Sequence, residues 1–158
     1  MSAQRRAIRN VAFAAGAMGA VAAATLGAGS AVADPPTLAV QQAPNAGITV
    51  QPGGALSGGF VADLVATPIG VDATRLSINP VGFGTCTTNL ADTKAAVSWR
   101  NETTDRSGSV VFPVCDAGKP SAGAVANTGA GRISFTTTIL GHPDQTFTVT
   151  PGSGSFTR

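Results

Sequence analysis

Ala95-Ala96-Val97-Ser98-Trp99-Arg100-Asn101, followed by Glu102-Thr103-Thr104-Asp105-Arg106-Ser107-Gly108 and then Val110-Val111-Phe112-Pro113-Val114, is the stretch on which the fold turns. Its first part alternates small or apolar residues with polar ones, the two-residue period of a half-buried strand. The polar middle ends in glycine and predicts a turn, and the β-branched and aromatic last part predicts the returning strand. The chain has two cysteines and one tryptophan, and Cys86 and Cys115 bracket this hairpin with Trp99 inside it. Two cysteines in an exported chain are expected to pair. Such a bridge would staple the base of the hairpin to whatever precedes Cys86, and closing a loop of this length contributes about 3–4 kcal/mol by restricting the unfolded chain.

Export is read from the other end. Arg5, Arg6 and Arg9 precede the uncharged Ala/Gly/Val run of residues 11–26, and Ala31-Val32-Ala33 offers small residues ahead of Asp34. Basic start, apolar middle and small-residue exit predict a signal peptide over 1–33, cleaved between Ala33 and Asp34. The run is shorter than the roughly 20 residues a membrane-spanning helix needs. Arg5-Arg6-Ala7-Ile8 loosely resembles a twin-arginine signal, so both that route and the general secretory route stay open. Cleavage changes the charge balance. Of 10 Lys+Arg the leader takes three, leaving 7 against 8 Asp+Glu, so the basic character belongs to the leader. The mature chain therefore has neither the net charge nor the charge runs of a nucleic-acid binder. No cysteine lies at the cleavage site, and the chain ends Phe156-Thr157-Arg158 without an apolar tail, so the expected product has no lipid or transmembrane anchor.

The mature part is expected to hold one domain. Residues 34–46, with Pro35, Pro36 and Pro44, predict an extended and weakly ordered N-terminal arm. Residues 47–158 predict the β domain. Gly47–Gln51 alternates ahead of the Pro52-Gly53-Gly54 turn, and Leu56–Ala66 is a strand with a bulge or bend at Gly58-Gly59. Arg75–Asn79 alternates up to Pro80, and residues 81–86 are expected to continue that strand past a kink. Residues 116–129 show no period and predict a long surface loop. In 131–140, Ile133, Phe135, Thr137 and Ile139 share one face; Phe147 and Val149 repeat the inward register, and residues 152–156 make a short terminal edge. Seven or eight short strands without a helical period predict an all-β fold, a single antiparallel immunoglobulin-like β-sandwich, with a small barrel as the alternative. The expected core is Val97, Trp99, Ile133, Phe135, Ile139, Phe147 and Val149, with either Val111 or the Val110/Phe112 face joining it.

Three motifs, Val97-Ser98-Trp99-Arg100-Asn101-x-Thr103-Thr104 with Gly108, Thr128-Gly129-x-Gly131, and Pro151-Gly152-x-Gly154-x-Phe156, resemble a set of small secreted β-sandwich proteins of mycolic-acid-containing actinobacteria. That resemblance covers most of 94–158 and implies location and fold, with no activity attached. Ile48-Thr49-Val50-x-Pro52 resembles more weakly the actinobacterial chromoprotein apoproteins, which carry a second disulfide and sequester an apolar natural product. The order Cys–Trp–Cys is similar to the immunoglobulin pin, but the gap from Trp99 to Cys115 is too short for a bridge across the middle of two sheets.

Little here points to catalysis. The one histidine, His142, lies in a Gly-His-Pro-Asp turn, and Asp144 two residues on is badly placed to orient its ring. Ser153 and Ser155 lack the strand–elbow–helix setting of an exposed nucleophile. Asp63, Asp72, Asp92, Glu102, Asp105, Asp116 and Asp144 are scattered over turns and strand ends, a poor basis for a glycosidase pair. Glu102 and Asp105 are too few for a calcium loop, and one histidine beside two bridged cysteines leaves zinc without ligands. Asn101-Glu102-Thr103 fits a glycosylation acceptor but reads better as a capped turn. The expectation is a non-catalytic protein with no catalytic, cofactor or metal residues. It would be a secreted or envelope-associated monomer binding a protein, glycan or lipid, with an apolar small-molecule carrier or a protease inhibitor presenting Pro113-Val114-Cys115 as alternatives.

Overall fold

The hairpin around Trp99 forms as read. In the computed structural model, which describes residues 36–50, 53–82, 84–141 and 146–158, it consists of β5 (Lys94–Asn101) and β6 (Ser107–Pro113), paired antiparallel from Lys94↔Pro113 to Arg100↔Ser107. Trp99 faces Gly108 across the pair, and a Cβ on that glycine would stand 2.8 Å from the indole ring. The glycine is thus the space the tryptophan occupies. Phe112 is 3% exposed and Val111 57%, so the Val110/Phe112 face is the one that turns inward.

Around this hairpin lie β1 (Val40–Ala43), β2 (Asn45–Val50), β3 (Leu56–Ile69) and β4 (Ala73–Val81), and after it β7 (Cys115–Asp116), β8 (Lys119–Pro120), β9 (Ala124–Ala126), β10 (Arg132–Leu140), β11 (Thr146–Thr150) and β12 (Gly152–Thr157). Two five-stranded sheets result, ordered β1-β12-β10-β5-β6 and β11-β2-β3-β4-β9, with β7 and β8 as a separate pair; every pairing is antiparallel. The fold is all-β. Inward residues of both sheets join one hydrophobic cluster, Phe60, Leu64, Leu76 and Ile78 from the second sheet with Val97, Trp99, Ile133 and Phe135 from the first. Ile139 belongs to it and Val149 packs against it, whereas the side chain of Phe147 and residues 1–35, with the expected Ala33–Asp34 cleavage point, lie outside the described residues.

Four expectations are corrected. The arm is extended, but 40–43 pairs with β12 and Asn45 already belongs to β2. β12 is therefore an interior strand, with β1 on one side and β10 on the other. β4 ends at Val81 and does not run on to Cys86: φ is positive at Gly82 (122°) and Gly84 (73°), and a short 3-10 turn, Thr85–Thr87, follows. Finally, the loop of 116–129 contains β9, which pairs with residues 74–76, and Ala126 and Thr128 are buried. Three residues are too few to display a period, which is why β9 is silent in the sequence. The bulge expected at Gly58-Gly59 is present, as the register jumps from Thr49↔Gly58 to Val50↔Leu56. Pro80 sits beyond the last residue of β4 paired to β9, where the strand has a neighbour on one side only.

Cys86, on the turn after β4, bonds Cys115, which opens β7 two residues past the end of β6, with their Cα atoms 5.4 Å apart. The bridge thus ties the exit of a second-sheet strand to the exit of a first-sheet hairpin, as the sequence led us to expect. Between Asp116 and Lys119 both central residues have positive φ, Ala117 (47°) and Gly118 (76°), the requirement of a type I′ hairpin.

Candidate functional site

The residues weighed for chemistry stay apart. His142 and Asp144 lie outside the described residues. Ser153 and Ser155 are in mid-strand on β12, paired on both sides, and among the described residues their strand partners are Ala43, Gln41, Thr136 and Ser134, none of them a base. Glu102 bonds Arg132 at 3.1 Å and Asp105 bonds Arg100 at 2.6 Å, so both carboxylates of the hairpin turn already have cationic partners. The hydrogen bond and the charge of Asp105 hold the Arg100 guanidinium above its ordinary value, which leaves it charged at any working pH. Among the described residues no three His, Cys, Asp or Glu side chains converge.

Asn101 is the buried cap of the turn. Its Oδ1 accepts from the backbone N–H of Thr103 and Thr104 (2.9 and 3.0 Å), while Nδ2 donates to the carbonyls of Thr128 and Ala130 (2.8 and 2.9 Å). Every bonding position of that amide is used, so the folded chain offers no nitrogen for glycosylation. Trp99 is 8% exposed and packs in the core rather than presenting a stacking face. Val114 is fully buried; its N–H donates to Thr93 and its carbonyl accepts from Ser121, so Pro113-Val114-Cys115 is bound down on both sides.

A broad concavity lies elsewhere, on the outer face of the second sheet. It has a volume of about 560 Å³ and is lined by Ile48, Gly59, Val61, Val81 and Thr150, among others, with no charged residue. The registers explain it. Thr150, Ala46, Val61 and Val81 are successive partners across β11, β2, β3 and β4, forming one lateral row. In the neighbouring row Ile48 faces Gly59, whose missing side chain lowers the floor. Ile48, Val61 and Val81 are 41%, 39% and 51% exposed, and Leu56, at 68%, lies at the start of β3. Exposed apolar side chains gathered in one hollow are unusual for a surface facing only water. Ile48, Val61 and Val81 are already about half covered, so covering the rest of each would contribute about 0.7–1.5 kcal/mol, half the value for a fully exposed Val or Ile.

The sequence carried a signal for this site that periodicity alone passes over. Phe60-Val61 places apolar residues on successive positions, hence on both faces of β3, and in Ile48-Thr49-Val50 the two apolar residues share one face of β2 while Thr49 takes the other. No family model matches the chain, and neither a curated protein nor a solved structure matches it.

Proposed function

We propose that this chain is a secreted, non-catalytic β module of the cell envelope or exterior, an immunoglobulin-like sandwich that binds an apolar ligand on the outer face of its second sheet. The observation that carries the reading is the uncharged hollow of Ile48, Gly59, Val61 and Val81. Export is supported by the leader pattern and by the disulfide, a bond that persists in oxidising compartments. Carriage between the sheets is less well supported than binding outside them, because the facing surfaces are filled by Phe60, Leu64, Leu76, Ile78, Val97 and Phe135. The buried, doubly bonded Val114 weighs against an inhibitory loop at that point.

Gly59 provides the test. Its φ is ordinary, and a Cβ there would meet only the Gly47 carbonyl at 3.6 Å, a normal contact. Gly59→Val should therefore fold, fill the hollow and abolish uptake of a solvatochromic naphthalene probe, as should Val61→Asp by placing a charge in it. Unchanged probe fluorescence in both variants would end the proposal. Mass spectrometry of protein collected from the culture medium should give an N-terminus at Asp34 and a mass two hydrogens below the reduced chain; an intact leader held in the membrane would refute export.

A further inference from the structure

The outer face of the first sheet has a different chemistry from the hollow. Ser153, Thr136, Ser98 and Ser109 are successive partners across β12, β10, β5 and β6, a row of four hydroxyls. Beside it run Gln41, Ser155, Ser134 and Arg100, from β1 to β5. Among the described residues, no hydrogen bond within the protein engages the hydroxyls of Ser98, Ser109, Thr136 or Ser153. Two adjoining depressions open on this face. One, of about 250 Å³, is lined by Ser98, Arg100, Ser134 and Thr136, and the other, of about 340 Å³, by Gln41, Arg132, Ser155 and Thr157.

We infer that this face binds an uncharged, extended polysaccharide laid across the strands. Each free hydroxyl offers one donor and two acceptors, the complement of a polyol. Charge selects the occupant: the guanidiniums of Arg100 and Arg132, which border the two depressions, are matched by Asp105 and Glu102. Lys94, unpaired among the described residues, lies on the same side of β5 but two outward positions beyond Ser98, outside both depressions, so the depressions carry donors without unmatched positive charge. A polyanion such as nucleic acid would find no unbalanced cation there. Spacing agrees as well. Strands lie about 4.8 Å apart, close to the roughly 5 Å that a pyranose unit advances in an extended chain, so hydroxyls across four strands keep step with about four sugars.

The experiment is depletion of the purified protein by insoluble cellulose, with soluble neutral glucans as competitors and hyaluronan as the charged comparison. The expected result is retention on cellulose, competition by neutral glucan alone, and persistence in 0.5 M salt, where exposed ionic contacts are screened to about a Debye length of a few ångströms. The triple variant Ser98→Ala, Thr136→Val, Ser153→Ala removes outward hydroxyls that hold nothing in the fold, and its retention should fall at least tenfold. Gly59→Val, which blocks the apolar hollow, should bind cellulose as the parent does, so the two sites fail or survive separately. Absence of retention, retention unchanged in the triple variant, or release by salt or hyaluronan would each overturn the inference.

Discussion

At the scale of single residues, the most consequential side chains are polar and wholly or partly buried. Gln42, on β1, reaches across to β3, where its Nε2 donates to the Leu64 carbonyl (3.0 Å) and its Oε1 accepts from the Leu64 N–H (2.8 Å). β2 stops short of that position, pairing no further along β3 than Ala62, so one side-chain amide does the work of a missing strand. Asn45 acts in the same way between the sheets, accepting from Gly152 N–H and donating to the Thr137 hydroxyl. Gln42→Leu should cost about 1–3 kcal/mol, since it leaves a buried donor and acceptor unpaired. Asn101→Ala should cost roughly 2–4 kcal/mol because four backbone groups lose their partner, with the turn loosened first. Urea unfolding with unchanged slope would register both as shifts of midpoint; midpoints equal to the parent's would refute the assignments. The glycines of Pro151-Gly152-x-Gly154-x-Phe156 have a physical reason too: a Cβ at Gly154 would stand 2.2 Å from the Gln41 carbonyl, and one at Gly152 2.6 Å from Thr137 Oγ1.

At the scale of elements, β1 decides more than its four residues suggest. It covers the free side of β12, while Leu38, just before it, donates its N–H to the Ala66 carbonyl of β3 at 2.8 Å. The segment thus closes one sheet and caps a strand of the other. Removing residues 36–43 should bare β12 as a sheet edge, and exposed edges recruit further strands. We expect a concentration-dependent rise in mass by light scattering, together with faster amide exchange in 152–157. A monodisperse product with native exchange would show that the segment is dispensable. The hairpin, β3 and β10 were legible because each is long enough to display alternation, and because their small and large inward residues, such as Ala62 beside Leu64, follow the period of the pleat. β9 and β1 were not, since three or four residues rich in alanine, valine and glutamine look the same in a loop.

At the scale of the whole molecule, stability rests on one shared core and one covalent tie. The core includes a tilted Phe135–Phe156 pair with ring centroids 6.1 Å apart, joining β10 to β12. The Cys86–Cys115 bridge joins the exits of two strands from different sheets. Reducing it, or replacing both cysteines by serine, should lower unfolding free energy by about 3–4 kcal/mol, less any strain released. The transition should remain cooperative, because the hydrophobic cluster does not depend on the bridge to be continuous. Calorimetry with and without reductant would check this, and an unaltered transition temperature would refute it.

The candidate site divides along the same line. That the longer strands form, which faces turn inward at Ile133, Phe135 and Ile139, and that the two sulfurs bond were set by local pattern, because strand period and cysteine chemistry act over a few residues or need only one partner. What the sequence could not specify is lateral neighbourhood. Ile48, Val61 and Val81 are separated by 13 and 20 positions along the chain, and only strand register brings them into two adjacent rows of one face. The hydroxyls of Ser98, Thr136 and Ser153 meet for the same reason. Pairing across a sheet is a long-range choice, made by the packing of every strand at once, and it alone assembled both surfaces.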